Sequence, residues 1–125
     1  MNVVDSSGWL EYFINGSNAG FFAPAIENAD DVLVPTISLF EVFKRVLIEK
    51  NRNDALEAIA LMKEGRMIDL DDTLALVAAE LSYELKLPMA DSIILATARA
   101  HDATFWTQDA HFKDMEGVRY IEKKA

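Results

Sequence analysis

The chain has 125 residues, 51% of them apolar and 26% charged, enough for one domain with a real core and too little for two. It has no cysteine and two histidines, His101 and His111, so a disulfide scaffold, a thiolate zinc site, a cysteine nucleophile and a histidine-rich metal cage are excluded. Twelve Lys and Arg against 21 Asp and Glu leave a net charge of −9, a surface that repels nucleic acid unless something local reverses the field, and that suits a basic protein partner or divalent cations.

Met1-Asn2-Val3-Val4-Asp5 lacks the basic start and apolar run of a signal peptide. No apolar stretch reaches the ~18 residues of a membrane span, so a soluble cytoplasmic protein without membrane contact is expected. Val3-Val4 reads as a first strand ended by Asp5. A helix is expected from Ser7 to Ile14, stopped by the turn pair Asn15-Gly16. Phe21, Phe22, Ala25, Ile26 and Ala29 then fall at helical spacing. Val32-Leu33-Val34 is a second strand closed by Pro35.

The third helix carries the strongest pattern. Ser38 is its expected cap, Ile37, Phe40, Phe43, Val46 and Leu47 form much of its apolar face, and it runs to about Lys50. Another helix is expected over Asp54–Glu64, ended by Gly65. Arg66 to Leu70 reads as a third strand, and Asp71 or Asp72 caps a helix reaching Leu85. Pro88 starts a helix that carries Ile94, Leu95 and Ala98 to about Ala100. Thr104-Phe105-Trp106-Thr107 is a fourth strand and Val118 to Ile121 a weak fifth. Trp9, Phe13, Phe21, Phe22, Phe40, Phe43 and Trp106 read as core or dimer interface. Residues 1–125 thus describe one α/β domain with a mainly parallel sheet, whose right-handed crossovers put helices on both faces. Such sheets place their sites at the carboxyl ends of the strands.

Acids recur there. Asp5 follows the first strand, Glu41 lies in the first turn of the helix after the second, Asp91 in the first turn of the Pro88 helix, and Asp109 two residues past Thr107. With strand one central, all four carboxylates meet. Each has a purely structural role open to it: Asp5 as an N-cap, Glu41 in the capping-box pattern Ser38-x-x-Glu41 or paired with Arg45, Asp91 at a helix N-terminus, and Asp109 in a turn. Asp91 shares a face with Ile94, Leu95 and Ala98, so it points toward the sheet and wants a cation or a donor. Clustered carboxylates repel one another and raise each other's pKa values. A hard cation such as Mg²⁺ or Mn²⁺ removes the conflict and supports hydrolysis of a phosphodiester.

Four segments resemble the PIN-domain family, most closely its VapC-type ribonuclease toxins: Val4-Asp5-Ser6-Ser7, Ser38-Leu39-Phe40-Glu41-Val42, the run from Ala90-Asp91-Ser92 to Ala98, and Trp106-Thr107-Gln108-Asp109-Ala110-His111-Phe112. Their order and spacing are similar to the family's across nearly the whole chain. The resemblance implies a three-layer α/β domain with a central five-stranded parallel sheet flanked by helices. It implies that Asp5, Glu41, Asp91 and Asp109 bind Mg²⁺, with Mn²⁺ substituting, and orient the attacking water for RNA cleavage, and that the Thr107 hydroxyl supports an acid or a metal-bound water. Homodimerisation and a small antitoxin that brings a basic segment to the acidic site are further implications. The chain departs from the family where Ala110 and His111 stand, since members often carry an acidic or basic residue there. His111 reads as a surface turn residue, with substrate contact as the other reading. Asp114 reads as a solvated loop acid, with a spare ligand as the other.

Discounting the four acids leaves a charge of −5, so a small RNA footprint is expected, assisted by Lys44, Arg45 and Lys113. Three other functions compete. A phosphoacceptor receiver domain, with Asp69 or Asp71 as acceptor, needs an acid pair after strand one, and Ser6-Ser7 stand there. A PIN nuclease outside any toxin pair, for RNA processing or DNA, and an inactive PIN-fold binding module complete the set.

Overall fold

The computed structural model describes residues 1–124. In chain order the elements are β1 (Asn2–Val4), α1 (Ser6–Phe13), α2 (Ala19–Ile26), β2 (Val32–Pro35), α3 (Thr36–Glu49), α4 (Arg52–Met62), β3 (Arg66–Ile68), α5 (Asp72–Leu85), α6 (Met89–Ala100), β4 (Thr104–Thr107) and β5 (Val118–Tyr120), with single 3-10 turns at Ala29–Asp31 and Ala110–Phe112. The strands form one five-stranded parallel sheet in the order β3-β2-β1-β4-β5. β1 is central, as the strand-end acids require. This order removes the receiver-domain reading, whose doubly wound sheet runs 2-1-3-4-5. Here β3 is an edge strand, and Asp71 caps α5 by accepting from the Leu74 N–H at 2.8 Å.

Why the strands read as unbroken apolar runs follows from the layers. Both sheet faces are covered, so both sets of alternating side chains are buried. Val4, Val32, Val34 and Trp106 face a core that also holds Trp9, Phe22 and Ile26 from α1 and α2, Val42 from α3, and Ala58 and Met62 from α4. Val3, Leu33 and Phe105 face the opposite core with Ile94, Leu95 and Ala98 of α6 and Phe112 of the second 3-10 turn. The register pairs Val3 with Phe105 and Val4 with Trp106, which keeps each pair on its own face.

Local differences from the expected elements have physical causes. α3 begins at Thr36 with Pro35 at its cap position, because the fixed φ of proline leads the strand straight into the helix. Ser38 is therefore inside the helix, fully buried, and its hydroxyl has no partner, so the Ser38-x-x-Glu41 capping box does not form. Glu41 falls in the second turn instead of the first. Arg45 pairs with Glu49 at 3.5 Å and not with Glu41. Phe40, expected in the core or a dimer interface, and Leu47, expected on the apolar face, are 63% and 43% exposed, so neither belongs to this domain's core, while Val42 is the fully buried apolar residue of this helix. The cap position, Pro35, lies three residues before the expected Ser38, and docking of the helix on the sheet selects the face that carries Val42. Ala29 lies in the 3-10 turn rather than in α2, and β3 stops at Ile68, short of Leu70.

Candidate active site

The site is built from the chain ends of β1 and β4, the second turn of α3 and the first turn of α6. Asp5 leaves β1 and caps α1, its Oδ1 accepting from the Gly8 N–H at 2.9 Å and from the Ser7 hydroxyl at 2.8 Å. Its Oδ2 accepts from the Thr107 hydroxyl at 2.5 Å. The Thr107 oxygen in turn accepts from the Asp109 N–H at 2.9 Å. Thr107, fully buried, so ties the two strand ends together and fixes both Asp5 and the backbone of Asp109. Gly8 permits this close approach: a Cβ there would stand 2.7 Å from Phe22 Cε1 and Val4 Cγ1. On α3, Glu41 Oε1 accepts from the Ser6 hydroxyl at 2.6 Å. The structural role of Asp5 thus leaves room for a functional one, since Oδ1 serves the helix while the carboxyl stands at the carboxyl end of the central strand.

Asp91 and Asp109 form the open side. One carboxylate oxygen of each and a ring nitrogen of His111 lie within 4.8 Å of one another. Asp109 caps the second 3-10 turn, its Oδ1 accepting from the His111 N–H at 2.9 Å, and His111 Nδ1 stands 3.1 Å from the same oxygen. His111 is thus an exposed turn residue that is also part of the acid cluster. Asp5 and Glu41 border that tight group without entering it. Asp114, in left-handed backbone at φ 66°, is exposed and outside it.

Electrostatics mark the same place. Burial pushes the Asp5 carboxyl up to about 6, with Asp109 adding to it, although the bonds from Thr107, Gly8 and Ser7 pull the other way. Asp91 is pushed up to about 6 by burial first, then by Asp109 and Glu41, against a lowering by His111. Two aspartates that resist ionisation, flanked by two further acids, form a donor set of hard oxygens short of positive charge. That chemistry fits a divalent cation such as Mg²⁺ or Mn²⁺ held by Asp91, Asp109 and their neighbours.

The three basic residues expected to touch substrate are all exposed. Lys44 Nζ lies 5.8 Å above the Phe40 ring, Arg45 is engaged with Glu49, and Lys113 follows the second 3-10 turn. Arg45 also lines a groove of about 850 Å³ between α1, α3 and α4, with an apolar floor of Leu10, Phe13, Val46 and Leu61 and acids Glu11, Glu49, Asp54 and Glu57. Ser7, Gln108 and Lys123 line both this groove and a hollow of about 460 Å³ that includes Asp109. Sequence reasoning did not find Ser6 as the donor to Glu41, nor the bridge from buried Asn18 to Gln108 at 2.9 Å and to the Glu122 carbonyl at 3.1 Å. The Ser6-Ser7 pair after Asp5 carried a signal for the first. Nothing local signals a contact across 90 residues.

Known structures share this fold. A toxin–antitoxin complex from Klebsiella pneumoniae contains a chain similar to this one with a TM-score of 0.79 and 21% identity, covering 95% of this chain and 96% of that one. VapBC2 from Rickettsia felis, bound to a promoter DNA fragment, gives 0.73 and 16%, covering 97% of each chain. VapC20 of Mycobacterium tuberculosis, a sarcin–ricin loop cleaving toxin, gives 0.70 and 16%, covering 83% and 85%. No single curated protein sequence matches this one significantly. A PIN-domain model matches residues 3–118, and with that match spanning nearly the whole fold the chain belongs to the PIN-domain family.

Proposed function

We propose that the protein is a metal-dependent endoribonuclease, with residues 1–125 acting as one nuclease domain, and that it is the toxin of a toxin–antitoxin pair. The observation that carries this reading is the proximity of Asp5, Glu41, Asp91 and Asp109 at the carboxyl ends of the strands, with Asp5 and Asp91 both raised to about 6. A structural cluster of this kind costs stability unless a cation is bound. Neighbouring structures are toxin–antitoxin complexes, and one is of a toxin that cleaves the sarcin–ricin loop, which supports the toxin role and the RNA substrate.

In this mechanism Asp91 and Asp109 are the principal ligands of Mg²⁺, or of Mn²⁺ in its place. When bound, the cation supplies Lewis acidity and lowers the pKa of coordinated water. Asp5 orients the water that attacks phosphorus, and Thr107 fixes Asp5 by donating to Oδ2. Glu41, held by Ser6, completes the negative wall of the site. Water adds to phosphorus and gives up a proton, the bond to the 3′ oxygen breaks, and that oxygen takes up a proton to leave as a 3′-hydroxyl, the phosphate staying on the 5′ side. Lys44, Arg45 and Lys113 contact flanking phosphates in a small footprint. A homodimer presents two such sites. The antitoxin is a small protein that brings a basic segment to the acids, and the acid-rimmed groove that continues toward Asp109 offers it a route.

Cleavage of a total-RNA pool with Mg²⁺ or Mn²⁺, beside EDTA and Asp91→Asn controls, tests the reading. Discrete fragments that vanish in both controls are expected. Equal cleavage by Asp91→Asn, or cleavage that persists in EDTA, would overturn it.

A further inference from the structure

We propose that His111 is a nitrogen ligand of the cation held by Asp91 and Asp109, and that it tunes this site toward Mn²⁺ over Mg²⁺. This rests on the reading of the acids as a metal site. Its starting point is the rigidity of the turn. Phe112 is fully buried, its ring 4.7 Å from that of Phe105, and the His111 N–H is bonded to Asp109. The backbone of residue 111 is therefore anchored on both sides, and its exposed imidazole starts from a fixed point beside the acids, with Nδ1 3.1 Å from Asp109 Oδ1.

The spacing is on the scale of one ion's ligand shell. Neighbouring ligands of an octahedral cation with bonds of about 2.1 Å stand about 3 Å apart, and opposite ones about 4 Å. His111 Nδ1 lies 3.1 Å from Asp109 Oδ1, and the whole set with Asp91 closes within 4.8 Å. An ion pair between His111 and Asp109 would explain the first contact alone. It would not explain why an acid from α6, distant in sequence, completes the same triangle.

The chemistry then sets the preference. Mg²⁺ favours oxygen donors and gives up water reluctantly; Mn²⁺ is also well served by oxygen but, as a first-row transition ion, gains more than Mg²⁺ from an imidazole. One nitrogen among oxygens raises affinity for Mn²⁺ with little gain for Mg²⁺. The chain's other histidine provides an internal control. His101 sits at the far end of α6 from Asp91, with Nδ1 3.0 Å from the Thr97 carbonyl.

The experiment loads the full chain with Mn²⁺ and reads nitrogen coupling by pulsed electron paramagnetic resonance. Mn²⁺ and Mg²⁺ affinities are measured by titration in parallel. Wild type should show one imidazole coupling, kept in His101→Asn and lost in His111→Ala. His111→Ala should lose about tenfold or more in Mn²⁺ affinity and less than about threefold in Mg²⁺ affinity. His111→Asp should keep Mg²⁺ binding while its Mn²⁺ preference falls. Bound Mn²⁺ that depends on Asp91 but shows no nitrogen coupling would overturn the role of His111 alone. Equal losses for both ions in His111→Ala would reduce it to a support for Asp109. Mn²⁺ binding that is absent, or unchanged in Asp91→Asn, would remove the metal site and this proposal together. The wild-type spectrum decides even if a variant fails to fold.

Discussion

The two sides of the site are made in opposite ways. Asp5 is 4% exposed, and both its oxygens accept from protein donors: Ser7 and Gly8 on one, Thr107 on the other. Asp91 is partly open, and its neighbours are the acids Asp109 and Glu41, with His111 the one group that favours its charge. Both carboxyls nevertheless rise to about 6. On the Asp5 side burial raises it against the hydrogen bonds. On the Asp91 side neighbouring charge adds to burial. The contrast teaches a division of labour. The locked side has its geometry fixed by protein donors, and the open side holds acids that no lysine or arginine pairs with among the described residues.

The largest effects should come from the open side. Asp91→Asn and Asp109→Asn should each lower RNA cleavage by about 10³-fold or more, with the far-ultraviolet circular dichroism spectrum unchanged. Cleavage within about tenfold of wild type in either variant would break the contrast, because the open acids would then be bystanders. Mn²⁺ titration of the same variants separates lost binding from lost chemistry.

A weaker effect belongs to the locked side. Thr107→Val keeps the shape and removes the hydroxyl that donates to Asp5 and accepts from the Asp109 N–H. Cleavage should fall about 10–100-fold, as for groups that hold a ligand in place. Because Asp5 also loses a bond to its charged form, its carboxyl should move up further, and the acidic limb of the pH–rate profile should shift to higher pH. A rate loss without that shift would mean that Thr107 acts only on the Asp109 backbone.

Gly8→Ala tests the packing that supports the lock. The added Cβ meets Phe22 and Val4 at 2.7 Å, and both are fully buried. A loss of about 1–3 kcal/mol is expected in urea denaturation. Cleavage should fall as well if the entry to α1 sets the orientation of Asp5, and an unchanged rate would show that Thr107 suffices.

Much of this arrangement was legible in the sequence. Strand ends are marked by single residues, Asp5 after Val3-Val4 and Asp109 after Thr107, and the alternation of strands and helices requires a parallel sheet. The central place of β1 then brings the acids together. What the sequence misrepresented was helix α3. Ser38 looks like a cap because serine caps helices locally, but the helix starts at Thr36, and Ser38 is buried by tertiary packing. The docking of α3, set by tertiary packing, leaves Phe40 exposed and gives Glu41 a partner in Ser6 rather than Arg45. His111 shows the other limit. Its exposure was readable, whereas its distance to an acid on α6 depends on the docking of α6 against the sheet. Of the exposed surface of helix α5 at Leu76, Val77 and Tyr83, neither periodicity nor composition gave warning.

The smallest effect distinguishes the two sides by their protons. The Asp91 carboxyl titrates near 6 when folded and near its ordinary 3.8 when unfolded. Between those values the folded protein holds a proton that the unfolded chain has released. Stability of the metal-free protein therefore falls as pH rises from about 4 to about 6, and the cost is fully present above 6. Asp91→Asn removes this dependence. In EDTA the variant should match wild type near pH 4 and be more stable by about 1 kcal/mol at pH 7.5, the modest value reflecting solvent screening of a partly open group. Saturating Mn²⁺ should reverse the order, since only wild type gains binding energy in the folded state. Asp5→Asn should not behave this way. Its amide cannot accept from Thr107, Ser7 and Gly8 together as the carboxylate does, so relief of charge is offset by a lost hydrogen bond. A stability gain at Asp91 without one at Asp5 is the signature of an open, charge-loaded side resting on a locked one.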